Sequence, residues 1–141
     1  MGLFSKLKAA VGIGNPKIQC LLESNQIHRG EHIRGTIELK GVSGEVPVAG
    51  LIIELVEIVV QTRWNANTKR EENYKVNQVV ARNVIPMNNQ LVKADEVIAQ
   101  EFEILVSPNS KISSFPVSHI LGVSADIPGL DSRTQLEIFI I

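Results

Sequence analysis

The sharpest chemical signature in this chain is His28-Arg29-Gly30-Glu31-His32, which spells H-x-x-E-H. In the inverted zinc proteases that spacing presents two imidazoles to a metal and a carboxylate to a bound water. The chemistry needs both histidines on one helical face, with Glu31 placed as general base. Here Gly30 interrupts the motif, and a pattern of period two begins directly after it. A turn leading into a strand is therefore expected, and no metal site.

The remaining reactive residue types point the same way. His119 alternates with apolar neighbours and is expected to face a core with a hydrogen-bond partner. A catalytic role would need a nucleophile or carboxylate beside it. Cys20, the single cysteine, lies on the apolar side of its strand. Free cysteines are among the most buried residues, whereas a reactive thiol wants an electropositive, partly open setting. Gly12-Ile13-Gly14 does not extend to G-x-G-x-x-G, because position 17 is Lys. The sequence thus predicts no catalytic residue, metal or cofactor. Trp64, the single tryptophan, sits where a long apolar strand ends at a polar tip; its type fits a contact residue, and local packing is the alternative.

The elements around these residues come from the hydrophobic period. Leu3, Phe4, Leu7, Ala10 and Val11 share one helical face, and Lys6 and Lys8 fall outside it. Gly12, Gly14 and Pro16 end the pattern. Residues 1–14 are therefore expected to be a short amphipathic helix and hinge. The segment lacks the apolar core of a secretory signal, and Lys6 stands where a myristoylation motif wants Ser or Thr. Two destinations fit it: the chain's own sheet, or the headgroup layer of a membrane.

From Lys17 onward the period is two. Ile33, Gly35, Ile37 and Leu39 alternate with Arg34, Thr36, Glu38 and Lys40, a strand with one wet face. In the segment 48–64, Leu51, Ile53, Leu55 and Val59 form one apolar face. Ile52, Val56, Ile58 and Val60 form another, with Glu54 among them. A sandwich strand needs only one such face, so the second must be covered. The N-terminal helix is the natural cover, and a second copy or a further domain is the alternative. The polar stretch 65–73 reads as a hairpin tip, and a loop is expected after Pro86. Residues 115–127 alternate from Phe115 through Val117, His119, Leu121, Val123 and Ala125 to Ile127. About seven strands result, the pattern of a β-sandwich.

Charge excludes some partners. There are 14 Lys plus Arg against 15 Asp plus Glu, which argues against nucleic acid. No apolar run approaches the roughly 20 residues of a membrane-spanning helix.

Residues 4–63 and 125–140 together resemble the bacterial sporulation-control proteins of arrestin-like fold. The opening helix and Gly-rich hinge, the Gly-Glu turn at Gly30-Glu31, the "G-x-x-x-x-K-G" strand from Gly35 to Gly41 and the "ADIPG" segment from Ala125 to Gly129 carry the resemblance. It implies an all-β, immunoglobulin-like or arrestin-like sandwich over residues 15–141. It also implies a cytoplasmic, non-enzymatic regulator that acts as an adaptor for other proteins. Members commonly carry a second sandwich, so the expectation is an N-terminal domain or a short variant. The expected interaction surface joins Leu3, Phe4, Leu7 and Val11 to Ile52, Val56, Ile58 and Trp64. Weak membrane contact through the helix is the alternative.

Overall fold

The computed structural model describes residues 14–141. The helix expected over residues 1–14 falls, but for Gly14, outside the described residues. Eight strands are present: β1 (Lys17–Leu22), β2 (Gln26–Ile27), β3 (His32–Lys40), β4 (Glu45–Asn65), β5 (Arg70–Lys93), β6 (Val97–Leu105), β7 (Val117–Asp126) and β8 (Ser132–Ile140). One sheet has the order β1-β3-β6 and the other β2-β8-β7-β4-β5. All pairs are antiparallel except β2 with β8. The extra strand relative to the sequence reading is β2, whose two residues are too few to show a period.

The two sheets share one core. Ile33, Ile37 and Leu39 of β3 meet Leu51, Ile53 and Leu55 of β4 and Leu121 and Val123 of β7 in one buried cluster. β3 keeps Arg34 and Lys40 in water on its other face. Alternation of apolar and polar residues selects this register, because a one-residue slip would invert both faces. No helix among the described residues is long and apolar enough to cross a membrane.

Three details depart from the sequence reading. The loop expected after Pro86 is a bulge inside β5. Gly50 pairs with Pro86 and Val48 with Gln90, so Met87, Asn88 and Asn89 stand opposite Ala49 alone. Asn88 and Asn89 take φ of 55° and 58°, a conformation asparagine tolerates better than most residues. A second register shift opposite Leu55 and Val56 leaves Val80 unpaired. Finally, Phe115, expected to face the core, is 87% exposed. β7 begins only at Val117, so alternation did not extend to the residue before proline.

Gly41 marks the tightest backbone approach. A Cβ there would lie 1.8 Å from the Lys93 carbonyl oxygen. The Gly41 N–H donates to the Glu96 carbonyl at 2.8 Å, and its own carbonyl accepts from Asp95 N–H at 3.0 Å. Substitution must part the segment from the end of β5. Gly41→Ala is expected to destabilise the domain by about 3 kcal/mol, read by urea unfolding, at the upper end of ordinary point substitutions.

Candidate functional site

Along β4, Leu51, Ile53, Leu55 and Glu57 are buried. Strand alternation therefore turns Ile52, Glu54, Val56, Ile58, Val60, Thr62 and Trp64 to the opposite side. Residues paired across a ladder share a face. Val84 and Ser124 join Ile52, Arg82 and Gly122 join Glu54, and Val79 and Ile120 join Val56. The outer face of the five-stranded sheet thus carries an apolar belt of Ile52, Val56, Ile58, Ile120, Val79 and Val84. A depression of about 240 Å³ over Gly122 interrupts it, where Ile52, Val56 and Ile120 meet the charged side chains Glu54, Arg82 and Arg133. Four of the expected contact residues, Ile52, Val56, Ile58 and Trp64, share this strand face. Leu3, Phe4, Leu7 and Val11 lie outside the described residues.

β4 and β5 outrun the rest of their sheet. Pairing with β7 ends at Val59 with Val117, and Val60 N–H donates to the Pro116 carbonyl at 3.0 Å. Beyond that point the rows from Val60–Lys75 to Asn65–Arg70 continue as a two-stranded ribbon. Such ribbons are marginal alone, and side chains lace this one. Tyr74 donates to Gln61 Oε1 at 2.6 Å, Thr62 to Asn73 Oδ1 at 3.1 Å and Asn65 Nδ2 to Glu72 Oε2 at 3.0 Å. The Arg63 guanidinium sits 5.0 Å from the Tyr74 ring centroid, a cation–π distance. Asn65 Oδ1 accepts from Asn67 and Thr68 N–H to close the tip.

Trp64 stands near the tip, opposite Glu71 and 63% exposed. It is not among the side chains packed on the core. Phe115 flanks the base of the ribbon through its neighbour Pro116. Reading the sequence missed it, although the run Ser113-Ser114-Phe115-Pro116 carried the signal of a loop.

His119 is the buried group with the most chemistry near it. It is 2% exposed, and the structure supplies both neighbours that a catalytic reading would require. Ser113 Oγ lies 2.7 Å from its Nδ1, and Glu57 Oε1 lies 3.9 Å from its Nε2. The serine, however, is committed elsewhere. Its Oγ accepts the Ile140 N–H at 2.8 Å, and its N–H donates to the Ile140 carbonyl at 2.7 Å. Its hydroxyl also reaches the Ile138 carbonyl at 3.4 Å, while His119 Nε2 is buried without a hydrogen-bond partner among the described residues. The cluster ties the 106–116 loop to β7, β8 and β4. It is a clamp, with no free nucleophile. Burial pushes the His119 pKa down, and Glu57 opposes that shift.

His28 and Glu31 lie in a turn with Gly30 at φ 85°, and His32 opens β3. No group of three or more metal-binding side chains converges among the described residues. Burial raises the Cys20 thiol to about 11.

Comparison with known proteins follows this geometry. A family model described as SpoOM protein, Spo0M, matches residues 4–138. No curated protein sequence matches. Among solved structures, the chain is similar to the crystal structure of Spo0M, a sporulation control protein from Bacillus subtilis, with a TM-score of 0.77 and 19% identity. The match covers 91% of this chain and 50% of that one, so this chain spans about half the length of that structure.

The clamp makes stability depend on pH. A histidine held neutral in the fold regains its proton on unfolding, so its contribution is complete above its unfolded pKa of about 6.5 and is lost as pH falls below it. Between pH 7 and 5 the parent should lose stability faster than His119→Phe, by up to about 1.4 kcal/mol per pH unit. Unfolding free energies of the two proteins across that range check it.

Proposed function

The chain belongs to the Spo0M family, and on that premise we propose that it is a non-catalytic, cytoplasmic regulatory adaptor that holds a protein partner on its β4–β5 ribbon. The observation that carries this reading is Trp64. A large aromatic side chain sits 63% exposed on a braced projection, with Phe115, 87% exposed, at the projection's base. Tryptophan dominates the anchors of protein interfaces, and exposed apolar clusters on a soluble surface mark contact sites. The hydrogen bonds between Gln61 and Tyr74, Thr62 and Asn73, and Asn65 and Glu72 hold the ribbon in shape before a partner arrives, which lowers the ordering entropy lost on binding.

Ser113 Oγ accepts the Ile140 N–H and lies 2.7 Å from His119 Nδ1, contacts that tie a loop to two strands. A sheet edge offers a second element of recognition. β5 closes the five-stranded sheet and β6 the three-stranded one. Asn83 Nδ2 of β5 donates to the Glu103 carbonyl of β6 at 3.0 Å. That side chain occupies part of the β6 edge, so strand addition is better accommodated along β5 in the ribbon.

Trp64→Ala and Phe115→Ala separate binding from folding. Both side chains are largely in water, so unfolding free energy should change by no more than about 0.5 kcal/mol. Capture of partner proteins by immobilised protein should fall about tenfold or more for Trp64→Ala, the scale of a hot-spot truncation. Capture equal to the parent's would remove the ribbon from the function.

A further inference from the structure

The core-facing side of β4 changes character at Glu57. Leu51, Ile53 and Leu55 carry the apolar run, and the next residue in that phase is a carboxylate, 8% exposed. The ladder row through it runs from Gln78 on β5 to His119 on β7. No hydrogen bond reaches the Glu57 carboxylate among the described residues, since His119 Nε2 at 3.9 Å is beyond hydrogen-bond range. A carboxylate taken out of water without a donor is costly. This position therefore calls for a positively charged donor.

There is room for one. Glu57 lines a depression of about 350 Å³ between β5 and the 106–116 loop. Val79 and Val80 supply apolar surface on the β5 side. The register shift that leaves Val80 unpaired is the kind of bulge by which a strand re-aims its side chains. Ser107, Asn109 and Ser110 stand on the loop side. Their turn is held in place, with Asn109 N–H donating to Ser107 Oγ at 3.1 Å and Ser110 N–H to the Ser107 carbonyl at 3.0 Å. A buried carboxylate, oxygen-bearing side chains on one wall and apolar surface on the other suit a guanidinium, which is planar, weakly hydrated and has five donors. An ammonium is more strongly hydrated and gives up more on entering.

We propose that this depression receives the guanidinium of an arginine side chain on the protein partner, with Glu57 as its counter-charge. That the arginine belongs to a partner rests on the ribbon reading. Only Ile58 and Val59 separate Glu57 from Val60, where β4 and β5 continue as the ribbon, so one partner can touch both. Arginine joins tryptophan among the residues concentrated at interface hot spots. The charge pairing itself needs only the free chain. Lys111 also lines the depression, and as a like charge it opposes an incoming cation.

Titration of the full chain with arginine blocked at both ends, as N-acetyl-arginine methylamide, followed by amide and methyl NMR signals, tests this. A dissociation constant of a few millimolar is expected of a ligand this small, with the shifts centred on Val79, Val80 and Ser110. The neutral isostere, blocked citrulline, should bind about tenfold more weakly, and Glu57→Gln should lose about tenfold for blocked arginine. Unchanged Leu51 and Leu121 methyl signals would confirm that this variant keeps its core. Lys111→Ala, an exposed loop substitution, should bind blocked arginine about twofold more tightly, a readout that does not depend on the folding of Glu57→Gln. Four results overturn the proposal. Citrulline binding as well as arginine removes the charge pairing. Shifts centred on Glu101 and Glu103 of the other sheet reduce the effect to attraction by an acidic surface. Free arginine binding more tightly than the blocked form assigns the depression to the amino acid itself. Binding that appears only in Lys111→Ala gives the site to the ammonium of Lys111. Capture by Trp64→Ala is read in a separate experiment, so the ribbon reading stands or falls without this titration.

Discussion

β4 is apolar on both sides, and the rest of the molecule is arranged around that constraint. One face, Leu51, Ile53 and Leu55, is the centre of the core shared with β3 and β7. Each such side chain contributes roughly 1.5–3 kcal/mol when it leaves water, so this face fixes the register of the whole sheet. The other face gains nothing from the two-layer packing. Ile52, Val56 and Ile58 are only half-buried by their neighbours on β5 and β7. A strand of 21 residues also outlasts its neighbour β7, and its far end has only β5 for company. Core, uncovered belt and projecting ribbon are thus three consequences of one strand.

The buried polar cluster beneath the hairpin end sets the geometry of the ribbon's base. Ser113, His119 and Glu57 come from a loop and two strands, and Ile140 adds the end of β8. A buried imidazole without partners would be expensive. With Ser113 on one nitrogen and Glu57 near the other, it instead locks the 106–116 loop, and with it Phe115, beside the point where β4 leaves the sheet. The same three residue types in another geometry would hydrolyse esters. Here the serine bonds the Ile140 backbone through both its N–H and its Oγ, and so ties the loop to the end of β8.

Much of this was legible in the sequence. Alternation over Ile33–Leu39 and Leu51–Leu55 specified strands and their buried faces, and the two-sided pattern of β4 exposed the surplus apolar side. The place of Trp64 where a strand runs out into a polar tip was recognisable, and its 63% exposure is what such a place allows. What periodicity could not show was anything made by pairing over distance. Glu57 sits in the core-facing phase of β4, yet only the β4–β7 register, where it pairs with His119, explains why a carboxylate is there. Ser113 gave no local sign of its role, because its partners lie six and 27 residues away. Phe115 was misread because alternation was carried across a proline. The loop expected after Pro86 became a bulge because two asparagines could take left-handed backbone angles without ending the strand.

Hydroxyl-radical footprinting of the free, full chain tests the division between β4's buried face and its projecting end most directly. The account predicts heavy oxidation at Trp64 and Phe115, with Leu51, Ile53 and Leu55 spared. Oxidation of Leu51, Ile53 and Leu55 at the rate of fully exposed side chains, with Trp64 protected, would contradict it.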